Sequence, residues 1–115
     1  MKSRRITILA GLALAVPFLL PNVGAAEAVE PTLFVSSTSG GLVDGISFAD
    51  EDILAHNLES GGWERYFDGS DVGLRYNDVN AFHIADDGSI LMALKKPQRV
   101  GGFWADDSDV IAFYP

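Results

Sequence analysis

Short apolar segments alternate with polar turns along most of this 115-residue chain. The apolar segments are rich in β-branched and aromatic residues, and Gly, Asp, Ser and Asn separate them, which is typical of an all-β protein. After residue 26, no segment has the long 3.6-residue apolar period of an amphipathic helix, so we expect low helix content. The pattern predicts about six strands: Leu33–Ser37, Asp52–Leu58, Trp63–Phe67, Val79–Ala85, Ile90–Leu94 and Asp109–Tyr114.

The second half of the chain aligns with the first after a displacement of 57 positions. Thr32–Asn57 matches Ser89–Tyr114 without a gap. Five aligned pairs are identical: Val43/Val100, Gly45/Gly102, Asp50/Asp107, Asp52/Asp109 and Ala55/Ala112. The chain therefore holds about one and a half copies of one supersecondary unit, and units of this kind bury their faces against one another.

The repeat refines the expected fold, a small antiparallel sheet or sandwich in a single all-β domain over residues 33–115. Thr38–Asp50 and Lys95–Asp107 occupy equivalent positions, and we expect each to be a long loop or a loop with an edge strand. Ile90–Leu94 is apolar on both faces, which predicts a central strand that is covered on two sides. Its half-polar counterpart, Leu33–Ser37, is expected at a sheet edge.

The N-terminus has the pattern of a secretory signal. Lys2, Arg4 and Arg5 precede the uncharged apolar stretch Ile6–Leu20, and small residues follow it. This order is typical of a cleaved signal peptide, and a spanning helix needs about 20 apolar residues. We predict a signal peptide over residues 1–26, a flexible leader over residues 27–32, and export to the periplasm or the extracellular space.

The exported chain is strongly acidic. Removal of residues 1–26 leaves five basic residues against 16 acidic ones, a formal charge of −11. Such a surface repels phosphate backbones and anionic lipid, so we expect neither nucleic-acid binding nor membrane association after signal cleavage. The chain has no cysteine, and a domain this small therefore depends on β packing, a bound metal ion or self-association for its stability.

The strand order and one motif carry a resemblance. The run Phe-Asp-Gly-Ser-Asp-Val-Gly at residues 67–73 follows an aromatic strand, and an Asp-Asp-Gly turn at residues 86–88 precedes an apolar strand. The chain resembles a blade-type repeat of exported bacterial proteins of unknown function, similar in strand order to β-propellers. The resemblance implies the fold of the unit and no catalytic residues. A propeller closes with at least about four blades, so ring closure within one chain is not expected.

Clustered carboxylates raise the alternative of a calcium site, because Ca²⁺ takes six to eight oxygen ligands. The recurrence of Asp50 and Asp52 as Asp107 and Asp109 instead favours turns that begin a strand. We therefore predict no cofactor, with calcium as the alternative. The candidate ligands in that case are Asp68, Asp71, Asp106, Asp107 and Asp109.

The aromatic residues provide the candidate binding residues. Trp104 replaces Ser47 in the earlier copy, and Arg99 replaces Leu42, so the repeat does not require either residue. Trp63 and Tyr66 lie on an aromatic strand and suit stacking against sugars or peptide side chains. The two histidines, His56 and His83, lie within predicted strands and are expected to pack there rather than to bind zinc or catalyse.

These observations favour a non-enzymatic structural or binding module. Its exposed repeat edges would pair with copies of itself or with a larger repeat protein. The alternative is a calcium-dependent or glycan-binding domain that uses the loop carboxylates with Trp104 and Trp63. An enzyme is the third reading, since no nucleophile, base and orienting group can be aligned in the sequence.

Overall fold

The computed structural model describes residues 29–115, and the predicted signal peptide, residues 1–26, lies outside the described residues. The all-β prediction is confirmed, and each of the six predicted strands coincides with an observed strand to within two residues. The only helical segment in the described part is one 3-10 turn, Gly69–Val72. The strands are β1 Thr32–Ser36, β2 Gly41–Val43, β3 Ile46–Phe48, β4 Ile53–Asn57, β5 Trp63–Phe67, β6 Val79–Ile84, β7 Ile90–Leu94, β8 Gln98–Val100, β9 Phe103–Ala105 and β10 Ile111–Phe113.

The strands form two units that share a two-stranded ladder and a hairpin but place their third strands on opposite sides of that ladder. In the N-terminal unit, β1 to β5, a three-stranded antiparallel sheet has the order β1-β4-β5. In the C-terminal unit, β6 to β10, the sheet has the order β10-β7-β6. As expected, β1 lies at a sheet edge. Within residues 29–115 there is no helix of the length and apolarity needed to cross a membrane.

Each of the two long equivalent segments contains a β-hairpin, which adds four strands to the predicted six. β2 pairs with β3 in the first segment, and β8 pairs with β9 in the second. Both hairpins turn through two residues of positive φ, Asp44-Gly45 and Gly101-Gly102. Turns of this kind favour Gly, Asn and Asp, because other residues are strained at positive φ.

The register of the ladders reproduces the sequence repeat. In the N-terminal unit Leu33 pairs with His56, and in the C-terminal unit Ile90 pairs with Phe113. Each number differs by 57 from its counterpart, as do those of Leu42↔Ser47 and Arg99↔Trp104 in the hairpins. The two units therefore share the register of these two ladders, although few of the side chains are identical.

The two units stack face to face around one core. The side chains of Ile53, Ile90 and Met92 meet in the buried cluster, and Phe34 packs against it. Phe67 of β5 contacts Phe113 of β10, with ring centroids 5.4 Å apart. Two hydrogen bonds join the units at Val79: its N–H donates to the Asp50 carbonyl over 3.1 Å, and its carbonyl accepts from the Ser36 hydroxyl over 3.4 Å.

The prediction that β7 is covered on two sides is wrong for the described chain. Ile90, Met92 and Leu94 are buried against the N-terminal unit, but Leu91 on the other face is 38% exposed. Sequence pattern alone shows that both faces of a strand are apolar, and it does not show whether the chain supplies a second layer. The uncovered face of β7 therefore has no partner among the described residues.

Candidate interaction surface

The hairpin β8–β9 carries two of the predicted binding residues. Arg99 pairs directly with Trp104 across the hairpin, so that both side chains lie on one face of the ribbon. The Arg99 Nη1 donates a hydrogen bond to the Gly102 carbonyl over 2.8 Å, which holds the guanidinium on the turn. Trp104 is 65% exposed, and the neighbouring Phe103 is also exposed. The hairpin thus presents two large aromatic side chains to solvent.

A groove of about 450 Å³ lies between this hairpin and β10. Since β10 is the outer strand of its sheet, one of its edges has no ladder partner in the described residues. An unpaired edge offers backbone N–H and C=O groups to an added strand. The groove therefore combines a free backbone edge with an apolar lining, to which Val100, Phe103, Trp104, Val110, Ile111 and Phe113 contribute.

The same place in the N-terminal unit is occupied. β4 is the counterpart of β10, and β5 pairs with its outer edge while also contacting β3. Ile53, the counterpart of Val110, is 0% exposed, whereas Val110 is 69% exposed. The C-terminal groove is exposed because, among the described residues, neither a strand equivalent to β5 nor a second stacked unit covers this side of β10.

Two equivalent aspartates show the same difference. Asp52 and Asp109 close the same turn: the Oδ2 of Asp52 accepts from the Ala49 N–H, and that of Asp109 from the Asp106 N–H, both over 2.9 Å. Asp52 Oδ1 also accepts from the Gly69 N–H, just after β5, over 3.0 Å. Asp52 is buried and also lies 3.4 Å from Arg65 Nη1, whereas Asp109 is exposed. The C-terminal unit therefore presents a carboxylate oxygen where the N-terminal unit has bound a backbone N–H.

The other two predicted binding residues lie on β5 of the N-terminal unit and are engaged in contacts there. Trp63 stacks on His56 with ring centroids 4.3 Å apart, and the His56 Nδ1 lies 3.2 Å from the Gly62 carbonyl oxygen. Tyr66 packs edge-on against Phe34 at 4.8 Å. The structure therefore brings Trp104 together with Arg99, and it places Trp63 and Tyr66 in a separate unit.

Three acidic turns share a motif that sequence reasoning did not single out. In each Asp-x-Ser turn the aspartate Oδ1 accepts from the serine N–H, over 2.8 to 3.0 Å, and from the serine hydroxyl over 2.6 Å. These hydrogen bonds, the one from the hydroxyl above all, lower the pKa of all three carboxyl groups below the ordinary value of 3.8. The pairs are Asp68/Ser70, Asp87/Ser89 and Asp106/Ser108, and the repeated Asp-x-Ser spacing was the available signal.

The alternative calcium ligands fall into two separate turns. Asp68 caps the 3-10 turn that contains Asp71, and Arg65 lies 3.3 Å from the Asp68 carboxylate. The other three, Asp106, Asp107 and Asp109, lie in the turn before β10. Among residues 29–115, no group of three or more His, Cys, Asp or Glu side chains is placed to hold a metal ion.

A buried carboxyl group beneath the Phe-Asp-Gly-Ser turn was also missed. Glu51 is buried, and its Oε2 has no hydrogen-bond partner among the described residues. Burial, followed by a side-chain hydrogen bond with Asp50, raises the pKa of Glu51 above its ordinary value of 4.5. Gly69 lies directly over it: a Cβ at position 69 would be 2.7 Å from the Glu51 Cβ. The turn motif thus needs glycine here for close packing.

Comparison of the chain with protein-family models, with curated proteins and with solved structures gives no match.

Proposed function

We propose that the chain is an exported, non-enzymatic structural or binding module that associates through its repeat edges with itself or with a larger repeat protein. One observation carries this proposal. Val110 on the C-terminal unit is 69% exposed, whereas its counterpart Ile53 is completely buried beside β5 and against the C-terminal unit. The N-terminal unit is the covered form of the repeat and the C-terminal unit is the uncovered form. The contacts that cover the first unit therefore indicate what the second unit accepts.

The geometry favours addition of a strand to β10. Strand addition takes its affinity from backbone hydrogen bonds and its specificity from pockets for alternate side chains. β10 supplies the backbone edge, the groove beside Trp104 supplies the apolar contacts, and the Oδ1 of Asp109 is available to a backbone N–H as the Oδ1 of Asp52 is to that of Gly69. A strand of the β5 type, aromatic and followed by Asp-Gly, fits this set of groups.

Two features of the sequence support the location and the kind of partner. The charged, apolar and small-residue segments at the N-terminus are typical of an export signal. The formal charge of −11 for residues 27–115 disfavours nucleic acid and anionic lipid. A protein partner is therefore the better fit to an apolar groove on an acidic surface.

A peptide that copies β5 and its following turn, residues 62–73, tests the proposal in trans. Isothermal titration calorimetry of the purified exported protein with this peptide is expected to show saturable binding with one peptide per chain. Trp104→Ser gives the groove the residue that the N-terminal unit has at position 47, and we expect it to weaken binding about 10-fold.

Two controls make the result specific. A peptide with the same residues in scrambled order should not bind, and Leu42→Ser, an exposed change on the other hairpin, should leave the affinity unchanged. Absence of binding by the wild-type protein, or binding that Trp104→Ser does not weaken, would count against the β10 edge as the site.

A further inference from the structure

The packing between the two units joins two different faces. The Ile53 face of the N-terminal unit consists of the side chains of Phe34, Ser36, Ile53 and Ala55, which share one side of the β1–β4 ladder. The Met92 face of the C-terminal unit consists of Ile90, Met92, Leu94, Ile111 and Phe113, which share one side of the β7–β10 ladder. The two faces meet in the core. The contact is therefore head to tail rather than between two copies of one face.

Each face has a counterpart on the other unit, because the ladders are related by 57 positions. The counterparts of the Ile53 face are Leu91, Ala93, Val110 and Ala112, here called the Leu91 face. In the N-terminal unit Ile53 and Ala55 are buried, whereas Leu91 is 38% exposed and Ala112 is exposed. The Leu91 face is thus the uncovered copy of a face that is covered within the chain.

The counterparts of the Met92 face lie on the opposite side of the N-terminal unit. They are Leu33, Val35, Ser37, Leu54 and His56, here called the Leu33 face. In this face Leu33 is 48% exposed, Val35, Ser37 and His56 are half-buried, and Leu54 is buried. The chain therefore presents one further face of each kind, and each occupies the position of a face that forms the interface between its units, with Ser37 and His56 in the Leu33 face where the Met92 face has Leu94 and Phe113.

The Leu91 face is suited to close sheet packing. It is flanked by Ala81 and His83 of β6, and its strands carry the small residues Ala93 and Ala112. A shallow groove of about 230 Å³ runs over it, lined by Leu91, Val110 and these β6 residues. Small side chains allow a second sheet to approach, and no Lys, Arg, Asp or Glu lines the groove. Burial of this face therefore costs no desolvation of a charge.

We infer that the Leu91 face of one copy of this chain packs against the Leu33 face of a second copy, and so repeats between molecules the contact that joins the two units within one molecule. This inference rests on the proposed function in that it names the second copy as the partner. Each chain has one donor face and one acceptor face, so the contact is heterologous, and its repetition closes a ring or extends a filament.

Two blocked variants test this arrangement. Leu91→Asp places a charge on the Leu91 face, and Leu33→Asp places one on the Leu33 face. Both positions are exposed, and circular dichroism should show that both variants fold. Analytical ultracentrifugation is expected to show assembly of the wild-type protein at micromolar concentrations and a loss of at least about 30-fold in apparent affinity for each variant. Leu42→Asp, on neither face, should assemble like the wild type.

Mixing the two variants gives the decisive result. Leu91→Asp retains a working Leu33 face, and Leu33→Asp retains a working Leu91 face, so the mixture should form a 1:1 heterodimer and nothing larger. Assembly of either variant alone, a mixture that stays monomeric, or a wild-type protein that stays monomeric would overturn the inference. None of these results depends on peptide binding at the β10 edge, so failure of this contact and failure of the proposed function are distinguishable.

Discussion

The side-chain amide of Asn77 hydrogen-bonds to both the N–H and the carbonyl group of the Lys96 backbone. Its Oδ1 accepts from the Lys96 N–H over 2.9 Å, and its Nδ2 donates to the Lys96 carbonyl over 2.8 Å. The same Nδ2 donates to the Gln98 Oε1 over 2.9 Å. Asn77 thereby fixes the start of β8, and with it the hairpin that carries Arg99 and Trp104.

The substitution Asn77→Ala should destabilise the protein by about 3 kcal/mol, because it removes three part-buried hydrogen bonds that each contribute about 1 kcal/mol. Urea unfolding followed by circular dichroism measures the loss. Asn80→Ala, at an exposed position on β6, is the matched control and should change the free energy of unfolding by less than about 0.5 kcal/mol. Equal effects of the two variants would show that the Asn77 contacts contribute no stability.

The close packing of Gly69 over Glu51 gives a second prediction. A Cβ in Gly69→Ala would overlap the Glu51 carbonyl oxygen, which cannot move aside without a shift of the backbone. We expect a loss of about 2 kcal/mol in the free energy of unfolding, measured by thermal and urea unfolding. Gly62→Ala is the control, since its Cβ would meet only the Ser60 hydroxyl at 3.3 Å, and it should unfold nearly like the wild type.

The buried carboxyl group of Glu51 should make stability depend on pH. Its pKa is raised in the folded state, so the folded protein binds the proton more tightly than the unfolded chain. The stability that Glu51 contributes in its protonated form is fully present below its ordinary pKa of 4.5, and it is lost as the pH rises through the pKa of the folded state. Glu51→Gln should remove that loss in unfolding curves recorded from pH 4 upward. Glu64→Gln, at an exposed position on β5, should keep the wild-type profile.

The Asp-x-Ser turns should have the opposite effect to Glu51, because their contribution to stability is lost as the pH falls. The pKa of Asp87 is lowered by the Ser89 hydroxyl and N–H, so the stability that it contributes is present above 3.8 and is lost as the pH falls through the folded pKa. Titration followed by NMR should place the Asp87 carboxyl below 3.8. In Ser89→Ala the hydroxyl is gone, and the pKa should move back toward 3.8; an unchanged value would show that the hydroxyl is not the cause.

Sequence alone predicted the β framework, because the apolar and polar alternation that defines a strand is local. Trp63–Phe67 and Ile90–Leu94 were predicted with their observed bounds. The hairpins β2–β3 and β8–β9 were anticipated only as loops or loops with an edge strand. Their central Asp44-Gly45 and Gly101-Gly102 pairs are strong turn signals, but strands of three residues are too short for an apolar period to show.

The candidate surface was only partly accessible from the sequence. The repeat singled out Trp104 and Arg99 because they depart from Ser47 and Leu42, and the structure places them opposite one another on one hairpin. Sequence could not show that Leu91 and Val110 are exposed, since burial depends on which other strands the chain supplies. The role of Asn77 was equally hidden, because its partner lies 19 positions away.

The identical registers of β1–β4 and β7–β10 affect how the chain must fold. Backbone hydrogen bonds do not distinguish β4 from β10, so a folding chain offers two acceptors to one β5 strand. Two features make the choice. The turn between β4 and β5 has only five residues, so closure of this hairpin is local. Trp63 also stacks on His56 at β4, whereas the equivalent position on β10 is Phe113. A β5 strand that paired with β10 instead would leave the outer edge of β4 unpaired, and the short turn together with the Trp63–His56 contact disfavours that misfolded form.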